Sequence, residues 1–499
     1  MNISKISRIL GLIRQNYLIK ALGSFSSIQI IGTLVGLIVI SLYTKLLPAE
    51  EYGKITMLTV FGAIISILSE TGLIAAFSIK FYKVSQKENA TNIYSILLYM
   101  FGICSILYIL FLFQPGLFSK FSRVHLTPGS ISVFFLFVIT GLIGRFYTNF
   151  LMISKSPKKY FQINLAFYLI VLVASAVYLL VLRSGFMSYL YSYLWANCLL
   201  LFMGIRFFLL NYKPPDKDIF SCAGLRNLLK IGTPLVPNSF MLMLLTYADR
   251  YILEKYKGLS AVGIYSVGYT FADKINSLII NPIGQAFSPL SFELYARFPD
   301  EYRELVKNVF QVFWLIIGMV FVGYFVILRE IFHLLIGSEY MLGYNIVPIV
   351  LAGVVFEGAG NLLGGTIIMK EKTDKMFLLT GISVLLNIGL NFIMIPPYGM
   401  YGAAVATLIS CVIHFLMILT YTQHLLFIPF DYWLIFKSIL ITIFFAIPVL
   451  ALSYLEYHPL LRICIKSIFF LLQVLVVWKF LGLREAITNV LHYGKENKK

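Results

Sequence analysis

The chain has 499 residues, 59% of them hydrophobic and 12% charged, with mean hydropathy +0.87; soluble domains carry roughly a quarter charged residues, so a soluble protein is excluded. A net charge of +18 would suit nucleic acid, but no stretch between the apolar runs is long enough to fold into a basic face, and nucleic acid is excluded as a partner. Cys104, Cys198, Cys411 and Cys464 fall in apolar runs and Cys222 in a basic linker, with no C-x-x-C and no histidine at metal-ligand spacing, so no metal site is expected.

Lys5, Arg8, Arg14 and Lys20 precede a first apolar run over 21–46, which is too long for a signal peptide and lacks a cleavage pattern. It is expected to be retained as a span, since about 20 helical residues cross a core of about 30 Å. Further spans are expected near 54–79, 91–113, 130–153, 161–182, 187–210, 232–254 and 261–290. The rest follow near 308–328, 344–369, 376–395, 401–422, 433–454 and 461–481, giving about fourteen in an all-α polytopic chain. Basic residues gather in alternate loops, among them Lys80, Lys83 and Lys87, then Lys155, Lys158 and Lys159, which predicts both termini in the cytoplasm. The loops are short and leave no room for a soluble catalytic domain, so any substrate must be handled between helices.

Residues 211–230 form a seam: Pro214 and Pro215 stop a helix, and the next dozen residues read as a short amphipathic helix at the cytoplasmic interface. Sliding the chain by about 210 positions lays Tyr52, Gly53 and Thr56 on Val262, Gly263 and Ser266, with Lys45 on Lys255 and Phe61 on Phe271. The expected organisation is a six-helix lobe over 1–210, a linker over 211–230 and a second six-helix lobe over 231–424. Residues 425–499 would add two helices and a basic cytoplasmic tail. Six spans return the chain to its starting side, so the repeats are parallel, with a cavity expected between them.

Four motifs stand in order along the chain: YTKLLPAEEYG over 43–53, GTPLVPN over 232–238, the stretch from ADR at 248–250 to GIYS at 263–266, and YGMYGAA over 398–404. In that order and spacing they resemble the oligosaccharide flippase, or Wzx-type polysaccharide biosynthesis, family, in the superfamily that also holds MATE drug exporters and lipid II flippases. The resemblance covers nearly the whole chain. It implies a two-lobed V-shaped transporter with a central cavity, working by alternating access on a polyprenyl-pyrophosphate-linked oligosaccharide in a bacterial inner membrane. It also implies membrane lipids, a glycan polymerase and a chain-length regulator as partners, no enzymatic step, and no cofactor beyond a proton or sodium gradient.

A glycan diphosphate is anionic and polar, so its carrier needs a wet cavity with cations and hydrogen-bonding groups. Charges inside spans cost about 2.5 to 3.5 kcal/mol each on insertion scales unless paired or wetted. By helix rise, Glu70, Arg145, Asp273, Lys274 and Glu357 lie near mid-membrane or below it. Arg145 and Asn149 share a helical face and can offer a forked cation and an amide to one phosphate or sugar; the alternative is a packing ion pair such as Arg145 with Glu70. Lys274 is the second substrate-binding candidate. Lys20 either greets the diphosphate or anchors the chain. Arg250, near the outer end of the seventh span, binds a headgroup, closes an outer gate or snorkels. Its neighbour Asp249 points in another direction and needs a separate explanation, a local cap or pair.

Glu70, Glu357, Asp249 and Asp273 are candidates for ion coupling or gating, with structural pairing as the alternative. Pro234 and Pro237 in the seventh span and Pro282 and Pro289 in the eighth are either hinges or fixed kinks. A MATE-type drug or cation antiporter is the nearest rival; it usually has about twelve spans and an acidic cavity, which the +18 charge and the extra span pair oppose. A glycan polymerase would need a long charged outer loop, and the loops around 114–129 and 329–343 are short and poorly charged. There is no Walker A loop for ATP.

Overall fold

The computed structural model describes residues 27–213, 219–284, 287, 291, 294–295, 299–455 and 457–483. The apolar runs become helices α1 (Ser27–Leu46), α2 (Ala49–Glu70), α3 (Leu73–Lys80), α4 (Gln86–Phe113), α5 (Pro115–Ser122), α6 (Pro128–Ile153), α7 (Pro157–Ala176) and α8 (Met187–Asn211). Their starts are set by local chemistry. Ser85 and Thr127 accept from the backbone N–H of Glu88 and Ser130 at 3.2 and 3.3 Å, satisfying donors that a helix start leaves open. Pro115, Pro128 and Pro157 occupy first turns, where a missing N–H costs nothing. One expected span is interrupted: α2 and α3 are separated by Thr71 at φ 46° and Gly72 at φ 72°.

The chain continues through α9 (Cys222–Gly232), α10 (Val236–Ile275), α11 (Pro299–Leu335), α12 (Val347–Met369), α13 (Thr373–Tyr398), α14 (Met400–Leu425), α15 (Tyr432–Leu452) and α16 (Pro459–Phe480). Gly258, at φ 79° and ψ 177°, turns α10 back on itself. Among the described residues 13 stretches are long and apolar enough to cross a membrane, and one of them, Cys222–Gly284, holds both helices on either side of Gly258. The protein is therefore a multi-pass, all-helical membrane protein with about fourteen crossings. No strand occurs among the described residues.

Contacts gather the chain into two compact units, Met1–Ser266 and Val267–Lys499. The division falls inside the eighth span and not at residues 211–230, because α9 and the following residues pack on the first unit. Ser221 N–H donates to Ser95 Oγ at 2.9 Å, and Leu225 and Leu228 join a buried cluster with Leu73, Phe77, Phe146 and Phe150. Further along, a Cβ on Gly53 would overlap the Leu259 carbonyl, and a Cβ on Gly263 would overlap the Ala49 carbonyl. These four residues are related by the same 210-position shift. The two contacts are thus reciprocal, and Gly258 falls on Pro48, the turn between α1 and α2.

In the second unit the last two helices dock on α11 through polar groups. The buried face of α16 carries Arg462, Lys466 and Gln473. Arg462 Nε donates to Glu330 at 2.7 Å, Lys466 Nζ to the Phe325 carbonyl at 3.3 Å and Gln473 Nε2 to the Gly318 carbonyl at 3.1 Å. From α15, Ser438 Oγ donates to the Trp314 carbonyl at 2.9 Å. Hydrocarbon offers such groups no partner, so they turn inward.

Candidate functional site

In the first unit the intramembrane charges meet at the break in the second span. Glu70 is the last residue of α2, where the negative end of the helix dipole disfavours a carboxylate. The compensating cation comes from α6: Arg145 Nη1 lies 3.6 Å from Glu70 Oε2. One turn along α6, Asn149 Oδ1 accepts from Ser78 Oγ of α3 at 3.1 Å. The shared face of Arg145 and Asn149 is therefore laid along both pieces of the broken span. Gly72 permits this, since its φ of 72° is open to glycine and a Cβ there would overlap the Gly232 carbonyl. The ion pair offered as the packing alternative is formed, yet it leaves the Arg145 side chain 56% exposed. A guanidinium held on one edge and open on the other can take a phosphate oxygen pair.

Asp249 does pair locally, and its partner is Arg250, the neighbour from which helical spacing separates it. Arg250 Nη1 reaches Asp249 Oδ1 at 2.8 Å, with both side chains buried at 4% and 2% exposure. Tyr265 OH donates to Asp249 Oδ2 at 2.6 Å, Arg250 also donates to the Thr246 carbonyl, and its guanidinium lies 5.0 Å from the Tyr247 ring and 5.5 Å from the Tyr265 ring. Adjacent Cα positions do diverge on a helix, but a guanidinium on three methylenes is long enough to fold back. In this conformation Arg250 is sealed away from headgroups and does not snorkel.

In the second unit Asp273 and Lys274 are half-buried at the end of α10, where Asn276 Nδ2 donates to Asp273 Oδ1 at 3.2 Å. The backbone then widens into a π turn over Asn276–Ile280, the turn before Pro282. The proline ring removes a donor and crowds the carbonyl four residues back, which a wider turn relieves. Gly358 of α12 packs against Ile280 of this turn, so Glu357 is carried beside it. Pro234 and Pro237 are corrected from kinks within a span to a helix junction. Pro234 sits in a 3-10 turn over Thr233–Leu235 and Pro237 in the first turn of α10, between α9 and the membrane segment. Lys20 and Pro289 lie outside the described residues.

Three features escaped the sequence reading. The Thr71–Gly72 break had only a T-G pair as its signal, without proline. The buried pair Asn387 and Asn391, joined Nδ2 to Oδ1 at 2.9 Å, was marked by its four-residue spacing in an apolar run. Glu330, Arg462 and Lys466 were visible as charges at span ends, where snorkelling is the ordinary reading.

The fold is shared with known transporters. A lipid II flippase, MurJ, in an inward closed conformation superposes with TM-score 0.70 at 18% identity, covering 93% of this chain and 99% of that one. An inward-facing multidrug resistance MATE family transporter of the MOP superfamily gives 0.62 at 12% identity, covering 80% and 98%. In sequence, the capsular polysaccharide biosynthesis protein CapF of Staphylococcus aureus is 31% identical over 192 residues, which are 38% of this chain and 48% of that protein. The match thus spans about half the length of that relative. Residues 18–295 match the polysaccharide biosynthesis protein family, and with more than half its length so matched, on a transporter fold, the chain belongs to that family.

Proposed function

We propose that the protein flips a polyprenyl-pyrophosphate-linked oligosaccharide from the cytoplasmic to the outer leaflet of a bacterial inner membrane, supplying O antigen, capsule or exopolysaccharide synthesis. The observation that carries this reading is the half-open guanidinium of Arg145, held by Glu70 at a broken span, in a chain of the polysaccharide biosynthesis family. A broken span frees backbone groups that are tolerated where they line a polar cavity. The two six-helix lobes, 1–210 and 231–424, would expose that cargo to each side in turn. Lys274 would be the second lobe's cation. Glu70, Asp273 and Glu357 would couple the cycle to protons or sodium, and the π turn before Pro282 and the junction at Pro234 and Pro237 would yield as it proceeds. Both termini would face the cytoplasm, and a glycan polymerase and chain-length regulator would act on the product.

On this reading the cargo is moved across the bilayer with no bond made or broken. The test is leaflet-resolved measurement of lipid-linked glycan in cells lacking the protein, with and without the restored gene. Accumulation on the cytoplasmic leaflet, relieved by restoration, is expected. Unpolymerised glycan building up on the outer leaflet would favour polymerisation instead, and unchanged glycan would turn attention to drug export, which the MATE likeness makes the second reading.

A further inference from the structure

Between α6, α7 and α8 lies a cavity of about 450 Å³ whose lining includes none of the residues assigned to cargo or coupling above. Its mouth is on the side of the basic loop bearing Lys155, Lys158 and Lys159. Lys159 in the first turn of α7 and Arg206 near the end of α8 stand at that mouth, both exposed. Gln162 and Asn211 add amides beside them. Lys159 Nζ is steered over the Phe207 ring, 5.0 Å from its centroid, and neither cation has a carboxylate partner among the described residues. Behind them the lining turns apolar, with Ile163, Ala166, Leu199 and Met203. From Lys159 to Ala166, and from Arg206 back to Leu199, the walls climb about 10 Å of helix into the hydrocarbon.

We propose that this cavity is a binding site for an anionic phospholipid of the adjoining leaflet. Its phosphate lies between the Lys159 ammonium and the Arg206 guanidinium, and the start of an acyl chain runs along Ile163, Ala166, Leu199 and Met203. A fork and a point charge suit one phosphate, and basic pockets between helix ends hold anionic lipid heads in the same way. A zwitterionic head would bring its own cation against two others, so the pair selects for net negative charge.

The test is native mass spectrometry of the full-length protein in detergent with phosphatidylglycerol or phosphatidylcholine. Phosphatidylglycerol is expected to be retained preferentially, and K159Q/R206Q is expected to weaken that retention by about thirtyfold, the combined contribution of two cations at a membrane surface. Equal retention of both lipids, or an unchanged double variant, would overturn the proposal. So would inorganic phosphate competing as well as the lipid, which would mark a bare anion site, or polyprenyl phosphate displacing phosphatidylglycerol at equal concentration, which would assign the cavity to the transported lipid. Should K159Q/R206Q fail to accumulate, Leu199→Trp, which fills the chain's path and keeps both cations, decides the matter: lost phosphatidylglycerol supports the site and retained phosphatidylglycerol refutes it.

Discussion

Arg145 keeps more than half of its side chain open even while Glu70 holds one edge of the guanidinium, and that combination separates binding from scaffolding. An ion pair this exposed is worth under about 1 kcal/mol to stability, whereas a charge-assisted bond to a phosphate contributes about 1.5 to 3 kcal/mol. Arg145→Ala should therefore lower flipping in proteoliposomes by roughly tenfold to a hundredfold with the melting temperature almost unmoved; a variant that melts early yet transports normally would make the residue a packing group. Arg250 should behave in the opposite way. Removing it leaves a buried Asp249 with Tyr265 as its remaining partner among the described residues, at a cost of about 3 to 5 kcal/mol, so Arg250→Ala should melt far below wild type in detergent, and an unshifted melt would refute the buried pair. The shared face of Arg145 and Asn149 was legible in the sequence through their four-residue spacing. The pairing of Arg250 with Asp249 was not, because helical spacing records where Cα atoms point and says nothing of how a long side chain bends back.

At the scale of elements, apolar runs ended by glycine, proline or charge gave the helices away, including the turn between the seventh and eighth spans, which Gly258 makes with a φ open to glycine. The break after Glu70 stayed hidden because Thr71 adopts φ 46°, a conformation that tertiary packing imposes and that no threonine announces. The reciprocal approach of α2 and the segment after Gly258 depends on two glycines whose added Cβ would strike backbone, which cannot move aside as a side chain can. Gly53→Ala and Gly263→Ala should each disfavour that approach by about 1 to 3 kcal/mol. Flipping should then slow by about five- to a hundredfold at normal abundance in the membrane, and full activity in both variants would remove the contact from the cycle.

Over the whole molecule, span number and helical class were readable because the bilayer fixes both the length and the polarity of what crosses it. The division into compact units was less so: composition marks the linker at 211–230, while packing carries α9 and the residues up to Ser266 to the first unit. The docking of the last helix pair was equally silent, since Arg462 and Lys466 look like interface anchors until Glu330 is placed opposite them. Glu330→Ala leaves two cations buried and should destabilise the protein by about 3 to 5 kcal/mol, while leucine at all three positions should recover most of the loss; calorimetry in detergent distinguishes the two. The glycine contact carries a consequence of its own. It is isologous, as in a twofold dimer, with one patch meeting the segment 210 positions further along the same chain. Separating the backbones relieves both overlaps together, so once Gly53 has been replaced a second replacement at Gly263 should add almost nothing. The double variant should match the worse single one, as expected of two sites that share one strain.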